Sequence, residues 1–419
     1  MRCLWLAWLP LLFLPNFGLG GSTGFGILEL SDFLIGPFLI LAALAGRRRG
    51  RTAIHRLSPL LIGFIVWASL STLLIRERYG YGNDIAIFNG ALKLGRLALY
   101  GFAGVLAAGA LSDESSRRNY PWALLASGLV VGIALMKVHD PNDAFHTGQA
   151  ASGYKAANAV SVMMAMLLCY LGGLWIVGLG TPLWRRLAGP GLALMTLGFL
   201  ISRGRGGWLA ALAGAAYLIC RRGLSPRLLA GMAGSVVLTG VAYVFIPEFR
   251  VELDRTIWPD QQAMVWYQSG VGGFDDGARL STWSHELSAF TRSPLLGTGF
   301  YHRGGASGLW ATGSHNFFLQ MFLETGLIGG LLVLSIFLRL WILAGSAQSR
   351  GLGLDVPTRS ALVAALVGGL SGEYFYGGMV IFTLLLIFAP VGCHLIQPEP
   401  VWSGHADFKD IFAPEGRDV

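Results

Sequence analysis

The chain has 419 residues, 54% of them hydrophobic and only 13% charged, and its mean hydropathy is +0.58. That balance excludes an ordinary soluble domain and indicates a polytopic membrane protein. The net charge of +8 does not indicate a nucleic-acid partner, because no soluble basic domain is there to carry one.

A membrane-crossing helix needs about 20 mostly apolar residues. On that measure the chain reads as all-α, with about 12 spans at 3–20, 24–45, 57–75, 94–111, 121–138, 156–179, 190–202, 207–220, 228–246, 315–343, 359–373 and 376–397. Residues 2–20 have the charged start and apolar middle of a signal peptide. No A-x-A-like site follows and a second apolar run begins at once, so they are read as the first span. Gly128-x-x-x-Gly132 and Gly368-x-x-x-Gly372 are small-residue patterns suited to close helix packing. Cys3, Cys169, Cys220 and Cys393 lack metal-ligand spacing and read as small packing residues.

With the N-terminus inside, Arg47-Arg48-Arg49-Gly50-Arg51, Arg117-Arg118, Arg185-Arg186, Arg221-Arg222 and Arg350 all fall in the cytoplasm, as the positive-inside rule asks. Both termini are then cytoplasmic. The expected organisation is one functional domain: spans one to nine in 1–246, a large outer loop at 247–313, spans ten to twelve in 314–397, and a tail at 398–419. Within the loop, Ala278 to Ser293 reads as a helix with an apolar stripe of Leu280, Trp283, Leu287 and Phe290, stopped by Pro294.

Basic residues also collect on the outer side, where that rule does not put them: Arg76, Arg78, Lys93, Arg203, Arg205, Arg250, Arg255, Arg279, Arg292 and Arg303. Ser202-Arg203-Gly204-Arg205-Gly206-Gly207-Trp208 joins spans seven and eight there. Two planar guanidinium forks beside a helix N-terminus make an anion site, and the glycines allow close backbone approach. The alternative is an interfacial turn whose arginines reach lipid headgroups. Farther on come Pro294-Leu295-Leu296-Gly297-Thr298-Gly299, Ser314-His315-Asn316, and Glu324-Thr325-Gly326-Leu327-Ile328-Gly329-Gly330. Ser314 is the expected cap of span ten, which puts His315 in its first turn. Alone, such a His-Asn pair is more often a cap or an interfacial contact than a catalytic group.

Taken together, these motifs resemble the O-antigen ligase and O-antigen polymerase family. The pieces that carry the resemblance run from about 202 to 330. It implies an enzyme of the bacterial inner membrane, a glycosyltransferase with its large loop and active site facing the periplasm. Its donor is a glycan on undecaprenyl diphosphate. The acceptor is lipid A core for a ligase, or a second lipid-linked glycan for a polymerase, with the ligase placed first. Within that resemblance His315, Arg205 and Arg279 match catalytic positions, while Arg203, Arg255, Lys93, Asn316 and Glu373 are candidates for binding the diphosphate. His315 acts either as general base or as a contact to the diphosphate.

Asp140-Pro141-Asn142-Asp143 and Asp275-Asp276 are outer carboxylate pairs that a divalent ion would suit, but arginine already supplies neutralising charge. No metal or other cofactor is expected. Glu29, Asp32 and Glu324 are read as paired with buried polar or basic groups. A lipid-linked oligosaccharide transporter is the more distant alternative. It would spread its basic residues along a path through the membrane, instead of gathering them at one side.

Overall fold

The structure, a computed structural model, describes residues 3–14, 30–46, 57–79, 84–111, 114–137, 157–202, 204–247, 250, 254, 283–284, 287–288, 290–300, 316–348, 353–372, 375 and 378–394. Its helices are α1 (Leu4–Leu12), α2 (Leu30–Gly46), α3 (Ser58–Tyr79), α4 (Asp84–Ala110), α5 (Glu114–Lys137) and α6 (Ala157–Val177). They continue as α7 (Pro182–Ile201), α8 (Arg205–Arg222), α9 (Pro226–Phe245), α10 (Phe317–Gln348), α11 (Asp355–Ser371) and α12 (Gly378–His394). No strand occurs among the described residues. Each expected span overlaps one of these helices. Length and composition alone qualify three stretches to cross a membrane: Gly90–Ala110, Ala159–Val177 and Phe317–Ala347.

Small residues decide which helices meet. The trio α6, α8 and α11 closes around Gly214, whose missing side chain would strike Cys169 Sγ and lie 2.9 Å from the Ser360 carbonyl. Ser360 Oγ then donates to the Gly214 carbonyl at 2.8 Å. Gly173 admits Pro357 of α11, and Gly368 admits Val162 of α6. The expected pattern at Gly128 and Gly132 works likewise: Gly128 receives Met195 of α7, and Gly132 lies against Gly198. All four cysteines are free, and Cys393 Sγ contributes a contact to the Leu111 carbonyl at 3.1 Å.

Asp32 and Glu324 are both partnered. Arg96 Nε on α4 donates to Asp32 Oδ1 on α2 at 2.9 Å, and the Tyr100 hydroxyl donates to the same oxygen at 3.1 Å. Glu324 Oε1 accepts from Gln320 Nε2 at 2.6 Å. Both acids thus have the polar or basic partners expected of them; Glu29 lies outside the described residues.

One element departs from the expected picture of a single unbroken span. α10 is interrupted at Gly326, where φ is 68° and ψ −173°. The interruption strips the Leu323, Glu324 and Thr325 carbonyls of their helical donors, and each is resupplied from outside the helix. Thr298 N–H donates to the Leu323 carbonyl and Gly299 N–H to the Glu324 carbonyl, both at 2.8 Å. Ser71 Oγ of α3 donates its one proton to the neighbouring Leu296 carbonyl, and Trp67 Nε1 donates to the Thr325 carbonyl at 2.8 Å. In return the Leu327 N–H, first of the second stretch, donates to the Pro294 carbonyl at 2.8 Å. The Phe300 N–H reaches Thr72 Oγ1 at 2.9 Å. Residues 294–300, expected as outer loop, are therefore wedged between α3 and the break in α10. The stretch after Gly326 is still about 33 Å long, enough to cross a bilayer.

Two glycines make this clasp possible. A Cβ at Gly297 (φ 72°) would lie 2.5 Å from Glu324 carbonyl atoms, and one at Gly326 would strike the Leu295 carbonyl. Backbone, not a flexible side chain, blocks both. Gly297→Ala and Gly326→Ala are each expected to lower stability by about 2–3 kcal/mol, read as thermal unfolding of the detergent-purified protein. Gly240→Ala, which meets no atom within 4 Å, is the control that should stay at the wild-type temperature.

Candidate functional site

At one end of the bundle, α6, α8 and α10 begin and α11 finishes. Only Ser202, Arg203 and Gly204 separate α7 from α8. Ser202 closes α7, its Oγ donating to the Phe199 carbonyl at 2.6 Å. Gly204 is the N-cap of α8, with no side chain to occupy the first amides. Arg205 therefore opens the helix instead of lying in a loop ahead of it, as the expected start at 207 implied. Ser161 of α6 fixes this corner by donating to the Gly204 carbonyl at 3.4 Å. Gly207 has a packing role here, because a Cβ on it would run into Ser161.

The opening of α10 lies across α11 from that corner. Val162, next to Ser161, packs on Gly368; a Cβ on Gly369 would in turn lie 3.0 and 3.2 Å from Phe318 and Phe375. The rings of Phe317 and Phe375 are 4.7 Å apart. Asn316 is the N-cap of α10: its Oδ1 accepts from the Phe318 and Leu319 amides, both at 3.1 Å, and its carbonyl accepts from Gln320 N–H at 2.9 Å. This corrects the expectation that Ser314 caps the helix and His315 sits in its first turn. His315 is the residue immediately before the cap. Asn316, expected as a diphosphate contact, spends its side-chain oxygen on the helix.

Lys93 also moves. α4 starts at Asp84, well before the expected 94, so Lys93 is a half-buried residue inside the helix, one turn from Arg96. His315, Arg203, Arg279, Arg255 and Glu373 lie outside the described residues, and Arg205 is placed by its backbone. The same holds for the carboxylates at 140, 143, 275 and 276. Of the loop helix, 283–284, 287–288 and 290–292 are helical, and the helix gives way at Ser293 before Pro294. Leu287 of its stripe is exposed.

Beside the opening of α10 lies a small cavity of about 50 Å³, lined by apolar side chains, most of them from α3, α4, α10 and α12. Phe300, Phe317 and Phe375 line it along with Ile336, Leu340 and Leu384. Sequence reading did not find it, because its walls come from five distant segments. The only linear signal was the run of aromatic residues next to His315 and Glu373.

The cap makes a direct prediction. Asn316→Ala is expected to lower thermal stability by about 1 kcal/mol, while Asn316→Asp, which keeps the acceptor, should not. Equal melting of all three proteins would deny the cap any role.

No curated protein matches the chain. Residues 190–334 match the family model described as O-Antigen ligase. That stretch begins within α7, ends within α10 and takes in the motifs at 202–208, 294–299, 314–316 and 324–330, so it is this part of the chain that is similar to the O-antigen ligase family.

Proposed function

We propose that this protein is an inner-membrane glycosyltransferase that moves a glycan from undecaprenyl diphosphate to an acceptor hydroxyl at the periplasmic face. The observation that carries this reading is that two helix N-termini open at one end of the bundle, on either side of α11. The α8 terminus is left open by Gly204 and begins with Arg205, and the α10 terminus directly follows His315. Open first-turn amides and guanidinium groups together stabilise phosphate oxygens.

The acceptor oxygen attacks the anomeric carbon as the bond from that carbon to the diphosphate oxygen breaks, inverting the centre. His315 takes the proton from the acceptor. Arg205 and Arg279 hold the charge that builds on the departing diphosphate, with Arg203, Arg255 and Lys93 as further basic groups. Diphosphate is already a good leaving group, so catalysis consists mainly of positioning and charge stabilisation. No step calls on a metal. The acceptor we assign is lipid A core, which makes the enzyme a ligase; extension of a second lipid-linked glycan would make it a polymerase.

The test is transfer by the purified protein from undecaprenyl-diphosphate glycan to lipid A core. His315→Ala is expected to lower turnover by about 10²–10⁴-fold without loss of folded protein. Arg205→Lys, which keeps charge but loses the fork, should also be strongly impaired. Near-normal turnover in both would remove the site from these helix ends. Elongated carrier-linked glycan with the core untouched would reassign the enzyme as a polymerase.

A further inference from the structure

At the end of the bundle opposite the candidate site, α6 and α8 finish and α7 and α9 begin. Trp175, in the last turn of α6, ties three of these ends together. Its Nε1 donates to the Arg185 carbonyl of α7 at 3.0 Å, and its carbonyl accepts from Arg227 Nη1 of α9 at 3.5 Å. The ring lies along Gly189 of α7 and Gly231 of α9, where a Cβ would come within 3.4 and 3.7 Å of it. Thr181 caps α7 by accepting from the Trp184 amide at 3.1 Å. Gly223, with φ 68°, ends α8 and turns the chain directly into α9. The frame is fixed by backbone geometry at every corner.

On it stand Arg185, Arg186, Arg221, Arg222 and Arg227, all exposed. None forms an ion pair with a described carboxylate, and Glu114 and Asp355, the carboxylates that open α5 and α11 at this same end, are not exceptions. The sequence contains no Asp or Glu between Asp143 and Glu248. The positive-inside rule asks only that basic residues stand on the cytoplasmic side. It does not ask that they surround a half-buried indole locked between three helices. Below them, α9 presents Leu229, Val236, Val237 and Val244 outward.

We propose that this corner is a binding site for an anionic phospholipid of the inner leaflet. The guanidinium groups of Arg185, Arg222 and Arg227 fork onto the headgroup phosphate. Trp175 sits at the level of the glycerol esters, where indoles concentrate. The acyl chains run down the outward face of α9. This site is separate from the one proposed for the donor and does not depend on the reaction.

The experiment is native mass spectrometry of the full-length protein released from bilayers of equimolar phosphatidylglycerol and phosphatidylcholine. Wild-type protein is expected to retain phosphatidylglycerol over phosphatidylcholine by at least about tenfold. Arg185→Gln/Arg222→Gln/Arg227→Gln should bring retention to near parity. Arg47→Gln/Arg48→Gln/Arg49→Gln, an equal change of charge elsewhere, should leave the preference intact. The wild-type arm stands alone if the first variant fails to fold, and no preference there overturns the proposal. An equal loss in both variants would reduce the effect to diffuse charge. Displacement of the lipid by inorganic pyrophosphate at millimolar concentration would mean a site for a free anion instead.

Discussion

A backbone carbonyl inside an apolar bundle must find a donor, and the interruption of α10 shows how far the fold goes to supply one. An unpaired buried peptide group costs about as much as a strong interaction gains, and lipid offers no water as a substitute. At Gly326 the bundle satisfies three freed carbonyls with two amides from 294–300 and an indole. Only glycine at 297 and 326 lets the two strands of backbone approach closely enough. The clasp turns one long helix into a rigid crossing segment and a short helix, 317–325, with an independently fixed direction. Gln320 and Glu324 lock that short helix internally, and Asn316 closes its start.

This arrangement changes what the glycine motifs mean. Read along the chain, Ser-Arg-Gly-Arg-Gly-Gly and Pro-Leu-Leu-Gly-x-Gly look like loops shaped to approach a ligand. In the structure Gly207 instead clears the way for Ser161, and Gly297 for the backbone of α10. Their glycines are architectural. The open amides at the start of α8 follow from having Gly204 as N-cap, since Ser, Thr, Asp or Asn there would occupy them. Leaving that terminus uncapped costs some helix stability and keeps its partial positive charge available to an anion.

Hydropathy made the helices legible, because apolar length is a local property: each of the twelve expected spans overlaps a helix. Boundaries were less legible where polar residues continue a helix. α4 begins at Asp84, because Ile85 to Phe88 continue the helix although Asn89, Gly90 and Lys93 separate them from the apolar run that follows, so Lys93 was misplaced. The cap of α10 was assigned to Ser314 because Ser and Asn are both good caps two residues apart, and only the hydrogen bonds choose Asn316. The break at Gly326 was hidden because its stabilising donors come from α3 and from 294–300. The cavity was hidden for the same reason. Of the candidate site, the sequence supplied the residue types, their order and the expectation that both openings lie on one side; that they flank α11 required the chain of contacts Ser161, Val162, Gly368, Gly369 and Phe318.

That chain of contacts also bears on mechanism. When the leaving group is a diphosphate, little covalent assistance is needed, and the rate depends on holding donor and acceptor in register. Residues on flexible loops hold register poorly, while residues at the ends of helices inherit the rigidity of the bundle. Arg205 is the first residue of α8, and His315 is one residue ahead of a capped helix whose far end is clasped by seven residues of another segment. A transporter would need the reverse, a passage whose walls separate and rejoin around the cargo. In this fold the helix that presents His315 is tied to α3 and to 294–300 through its own backbone. Moving it would break hydrogen bonds that an apolar interior cannot replace, which favours a fixed site over a moving gate.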